Sequence, residues 1–128
     1  RGIEFINDSA ATNVNATWFS LESLTGPLIW IAGGRNKDED FRPLIPVLNE
    51  KVDWIILLGN ENQRLEHALA EFGGQVFHAL SLDEAVQTAY HYASASQKVL
   101  FSPSCASFDM FSDYQERGLR FRQAVNQL

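Results

Sequence analysis

Three polar stretches of the chain carry the residue types from which an anion site is built. They are Asn7-Asp8-Ser9-Ala10-Ala11-Thr12-Asn13, Gly33-Gly34-Arg35-Asn36-Lys37-Asp38-Glu39-Asp40 and Ser102-Pro103-Ser104-Cys105-Ala106-Ser107-Phe108-Asp109. Each follows a short apolar run of strand type. Together they offer hydroxyls, a cation in Lys37, and backbone N–H groups at helix starts, a set that suits a small carboxylate ligand. Taken singly, each has a plainer use, because Asn, Asp and Ser after strands also form turns and helix caps.

Other chemistries find little footing. Gly33-Gly34 does not make the dinucleotide fingerprint G-x-G-x-x-G, and no phosphate loop G-x-x-x-x-G-K-[ST] occurs. Ser104 and Ser107 lack a nucleophile elbow. Cys105 has no histidine paired with it by pattern and is expected to be a small buried packing residue. His67, His78 and His91 lack metal-ligand spacing and read as structural or surface residues. The spacing therefore assigns no catalytic residue and no metal ligand. Glu39-Asp40 is expected to open a helix, and Arg117, Arg120 and Arg122 to form the solvated face of the last one.

The elements that must hold these loops follow from apolar periodicity. Strands are predicted at Ile3 to Ile6, Leu28 to Ala32, Trp54 to Leu58, Gln75 to His78 and Lys98 to Phe101. Between them lie helical patterns. Asn13 caps one with Val14, Trp18 and Leu21 on its inner face. Phe41, Leu44, Ile45 and Leu48 suggest a short helix, which Pro46 would strain. Leu65, Leu69 and Phe72 line a third, ended by Gly73-Gly74. Capping-box pairs Ser81/Glu84 and Ser112/Gln115 start the last two, and Gly118 weakens the final helix. The order βαβαβαβαβα, with continuously apolar strands, predicts an α/β domain: a Rossmann-like, doubly wound, mostly parallel sheet flanked by helices. In such sheets ligands bind outside the carboxyl ends of the strands, where all three polar loops fall.

Composition bounds the partners. The 128 residues suit a single domain spanning 1–128. A net charge of -6 argues against a nucleic-acid partner. No apolar run is long enough to span a bilayer, and residues 1 to 5 lack a signal-peptide pattern. A single cysteine fits a reducing, cytoplasmic setting. The abrupt entry into a strand suggests a domain taken from a longer protein.

The three loops together resemble those of the MurD-type ligases of the Mur ligase family. Asn7-Asp8-Ser9-x-Ala11-Thr12-Asn13 is similar to the family's N-D-S-K-A-T-N, and Gly33-Gly34-x-x-Lys37 to its G-G-x-D-K-G. Ser102 to Asp109, followed by Phe111, Tyr114, Glu116, Arg117 and Gly118, resembles its S-P-A-C-A-S-x-D-x-F-x-x-[FY]-x-x-R-G block. The resemblance covers the whole chain in order.

It implies the C-terminal domain of a three-domain, monomeric cytoplasmic enzyme whose N-terminal and central ATP-binding domains lie outside this chain. That enzyme joins D-glutamate to UDP-N-acetylmuramoyl-L-alanine in peptidoglycan synthesis, using ATP and Mg2+ bound mainly by the central domain. The fragment alone is not expected to turn over. By position, Thr12, Lys37, Ser107, Phe108 and Tyr114 would bind D-glutamate, and Asp8 would lie near the nucleotide ribose. The chain departs from the family at Ala10, where a lysine stands, and at Asn36 and Asp38 on either side of Lys37. These departures keep two alternatives open: a non-catalytic binding domain of the same fold, or a ligase for another amino acid.

Overall fold

Five apolar runs hydrogen-bond side by side into one sheet. The computed structural model describes residues 2–34, 39–105, 111 and 113–128. Its strands are β1 (Glu4–Asn7), β2 (Leu28–Ala32), β3 (Val52–Leu58), β4 (Gln75–Ala79) and β5 (Lys98–Phe101). The helices are α1 (Val14–Ser23), α2 (Ile45–Lys51), α3 (Gln63–Ala68), α4 (Leu82–Tyr92) and α5 (Tyr114–Asn126). Every strand pairing is parallel, in the order β1-β5-β2-β3-β4. The predicted α/β class and element order therefore hold.

Strict alternation along the central strands divides the core. Leu28, Trp30, Ile55, Leu57 and Leu100 face α1, α2 and α3, which add Val14, Leu21, Leu48 and Leu65. Ile29, Ile31, Ile56, Val99 and Phe101 face α4 and α5, which add Ala85, Val86, Ala89 and Phe121. Burial on both faces explains why β2 is apolar at every position and fully buried throughout. The order also sets a switch point. The chain leaves β1 and β2 toward one face but leaves β5, which lies between them, toward the other. Neighbouring loops that diverge to opposite faces leave a crevice at the carboxyl edge.

Several local expectations need correcting. On α1 the buried positions are Val14, Thr17 and Leu21, whereas Trp18 is exposed. A helix turn of about 100° per residue puts position 17, not 18, between Val14 and Leu21. Pro46 is not strained inside a longer helix. A 3₁₀ turn, Arg42–Leu44, comes first, and α2 begins only at Ile45, which places Pro46 in the first turn. The cap of α5 is Asp113, whose side chain accepts from Glu116 N, rather than Ser112. The Asn13 and Ser81 caps form as expected.

Helix α1 has no basic residue in its last turn. Its carbonyls are instead satisfied by Lys51 at the end of α2. Lys51 Nζ donates to the carbonyls of Leu21 (2.9 Å), Glu22 (2.8 Å) and Leu24 (2.8 Å). One ammonium group thus uses all three donors on the negative end of a helix dipole. Replacing it (Lys51→Met) should destabilise the fold by about 1–2 kcal/mol. Urea unfolding of both proteins checks this as a lower midpoint with unchanged slope.

Candidate functional site

The loops after β1, β5 and β2 leave three adjacent strands and are stitched together beyond the strand ends. Asp8 N donates to Phe101 O (2.8 Å), Ser102 N to Ile31 O (3.2 Å), Gly33 N to Pro103 O (3.1 Å) and Ser104 N to Ala11 O (2.9 Å). The parallel ladder thus continues into the loops and holds them along one rim. Gly33 has φ +126°, and a Cβ there would lie 2.5 Å from Leu58 O, so only glycine fits the bend. The buried Asn62 side chain accepts from Gly34 N (3.4 Å) and donates to Leu58 O (2.9 Å), tying this loop to the one after β3.

The second loop also supports the first. Glu39 Oε1 accepts from Val14 N (2.9 Å), and Arg64 Nη1 donates to Glu39 O (3.0 Å). Glu39 therefore satisfies an N–H in the first turn of α1, not in a helix of its own as expected from the sequence. A carboxylate at that terminus also faces the positive end of the dipole. Asp40 pairs with the Arg42 side chain (2.8 Å). Hydrogen bonding to that guanidinium pulls the Asp40 carboxyl down to about 2.

The most consequential correction concerns Arg117. It is not part of a solvated face: it is 1% exposed. Its Nη1 donates to Cys105 O (2.9 Å) and its Nη2 to Ser9 O (3.0 Å). A planar guanidinium can hold two carbonyls from different loops at once, which an ammonium cannot do with fixed geometry. Beside it, Gly118 packs closely against the first loop. A Cβ there would come within 2.3 Å of Ser9 Oγ, and Gly118 O accepts from Asn7 Nδ2 (3.1 Å). The Arg-Gly pair fastens α5 to the first and third loops.

Of the residues that the resemblance singles out, Asp8 and Thr12 lie half-buried on the β1–α1 loop. Tyr114 is exposed and opens α5, one turn before Arg117. Lys37, Ser107 and Phe108 lie outside the described residues. Asp8 points inward with Oδ2, which accepts from Ser102 Oγ (2.7 Å) and from Ser20 Oγ. Ser102 Oγ also meets Thr17 Oγ1 (2.8 Å), and Ser102 O accepts from Trp30 Nε1 (2.7 Å). Sequence reasoning missed Arg117, Thr17, Ser20 and Trp30. Only the position of Thr17, between Val14 and Leu21 on the helix, signalled a buried hydroxyl.

A concavity of about 550 Å³ lies between Glu39–Arg42 and the start of α3, and neither Asp8, Thr12 nor Tyr114 lines it. Cys105 is fully buried, as expected. His78 bonds Glu66 at the surface (2.8 Å), and no cluster of metal-ligating side chains occurs among the described residues. Among those residues no helix is long and apolar enough to cross a membrane.

Comparison with known proteins places this rim in context. Residues 1–105 match the model of the family described as Mur ligase, glutamate ligase domain. The chain is 44% identical, over 97% of its length, to the UDP-N-acetylmuramoylalanine–D-glutamate ligase of Christiangramia forsetii. It is 43% identical over 98% to that of Porphyromonas gingivalis, and 40% identical over all of its length to that of Bacteroides thetaiotaomicron. It spans just over a quarter of these relatives, 28%, 28% and 29% of their lengths.

Arg117 is the fastening that these contacts single out. Arg117→Met should cost about 3 kcal/mol, because two partly or fully buried carbonyls lose a charged donor. Arg117→Lys should recover less than half of that loss. Thermal unfolding of the two variants beside the parent measures both effects.

Proposed function

Since the chain belongs to the Mur ligase family, as its glutamate ligase domain, we propose that it is the C-terminal domain of a larger ATP-dependent enzyme that adds D-glutamate to UDP-N-acetylmuramoyl-L-alanine. The observation that carries this reading is the convergence of the three polar loops on the carboxyl ends of β1, β5 and β2. Three relatives bearing that activity in their names support it. The assembled enzyme is a cytoplasmic monomer of three domains in this reading.

The reaction passes through an acyl phosphate on the muramoyl-alanine carboxylate. The amine of D-glutamate attacks its carbonyl carbon, phosphate leaves, and an amide forms. This domain's part is to hold the incoming amino acid. Lys37 pairs with a glutamate carboxylate, the hydroxyls of Thr12 and Ser107 and the Phe108 N–H donate to carboxylate oxygens, and the Tyr114 ring walls the pocket. The exposed position of Tyr114 at the start of α5 suits a wall completed by a second domain. In this reading Asp8 serves the nucleotide ribose. ATP supplies the phosphoryl group, with Mg2+ held mainly by the central domain. The Asp8 carboxylate, an acceptor, fits the sugar hydroxyls and not the phosphates, and Ala10 on the same loop is exposed and carries no charge.

That alanine also favours a second reading, a non-catalytic domain that kept the fold. A full-length protein with a G-K-[ST] phosphate loop ahead of this domain supports the enzyme, and one without it supports the alternative. The direct test is ligation by the full-length protein with ATP, magnesium and UDP-N-acetylmuramoyl-L-alanine. Product should require D-glutamate and should not form with L-glutamate or D-aspartate. Thr12→Ala should raise KM for D-glutamate about tenfold while leaving KM for ATP unchanged. No product under any condition excludes the ligase reading.

A further inference from the structure

We propose that Ser102 and Ser20 are positioning residues for Asp8, fixing its carboxylate so that Oδ1 alone is presented to a ribose hydroxyl of the nucleotide. This rests on the reading of Asp8 as the ribose-facing residue. The two serines reach Asp8 from different elements. Ser20 lies on α1, and Ser102 directly follows β5. Both place Oγ on the same carboxylate oxygen, Oδ2. Among the described residues nothing hydrogen-bonds Oδ1.

Counting protons settles who donates. A hydroxyl has one proton, and an ionised carboxylate has none to give. Ser102 O–H is committed to Asp8, so the Thr17 O–H must donate to Ser102 Oγ. The result is a directed chain, Thr17 to Ser102 to Asp8, with Ser20 as a second donor whose Oγ lies closer to Asp8 Oδ2 than to its other acceptor, Ala16 O (3.3 Å). Ser102 and Thr17 are both fully buried. The backbone of Ser102 is held as well, by its N–H to Ile31 O and by Trp30 Nε1 at its carbonyl. A carboxylate held at one oxygen by two fixed donors has lost its rotation before the ligand arrives, and that preorganisation strengthens whatever bond the other oxygen makes.

A merely structural cradle would affect all nucleotides alike, whereas a positioning one acts only through the ribose. The experiment measures equilibrium binding of ATP, 2′-deoxy-ATP and 3′-deoxy-ATP to the full-length protein. It compares the parent with Asp8→Asn, Ser20→Ala, Ser102→Ala and the conservative Ser20→Thr. The parent should bind ATP about three- to tenfold more tightly than one of the deoxy analogues. Asp8→Asn should abolish that preference. Ser20→Ala and Ser102→Ala should each cut it by half or more while barely changing affinity for the same deoxy analogue, and Ser20→Thr should restore it.

If Asp8→Asn abolishes the preference but both serine variants retain it, the positioning inference is overturned and the ribose reading stands. Equal loss of affinity for all three nucleotides in the serine variants also overturns it. If the parent shows no preference, or Asp8→Asn keeps it, the ribose reading itself fails and the inference with it.

Discussion

A strand paired on both sides cannot swing out of its sheet, and β5 is paired with β1 on one side and β2 on the other. That confinement governs the rest of the molecule. The loop leaving β5 must emerge between the loops leaving β1 and β2. The backbone bonds that continue past the strand ends, from Asp8, Ser102, Gly33 and Ser104, follow directly from this position. Because α5 then packs on the face opposite α1 and α2, the chain diverges to both faces at this edge, as it does at the switch points of open α/β sheets.

The same geometry explains how so many polar groups come to be buried here. Ser102, Thr17 and Arg117 are all buried, and each has partners from another loop or strand. Burying a hydroxyl or guanidinium costs less when its donors are used, and the rim supplies carbonyls and a carboxylate at hydrogen-bond distance. Arg117 does more than satisfy itself, because the two carbonyls it holds, of Ser9 and Cys105, belong to two of the three loops. Helix side chains thus add to the backbone bonds that already tie the loops together.

The rim belongs to an acidic domain, and acidic side chains beside it have local partners. Under the proposed function, an anionic ligand of this domain has to be held by local donors against an overall net charge of -6. Glu39 accepts from the first turn of α1, and Asp40 is paired with Arg42.

Much of this was legible along the chain. Alternation of short apolar runs with helical periods determined a parallel α/β domain, the Asn13 and Ser81 caps, and the carboxyl-edge location of the three polar loops. Those signals are local: each lies within one turn of helix or one strand, where spacing alone dictates which side chains share a face. Tertiary structure decided the strand order, the burial of Arg117, the role of Glu39 as a cap for α1, and the hydroxyl cradle around Asp8. The contacts responsible join residues 25, 94, 108 and 111 positions apart. No periodicity spans such distances, and an arginine among the polar residues of a C-terminal helix looks solvated until the loops that it fastens have been brought beside it.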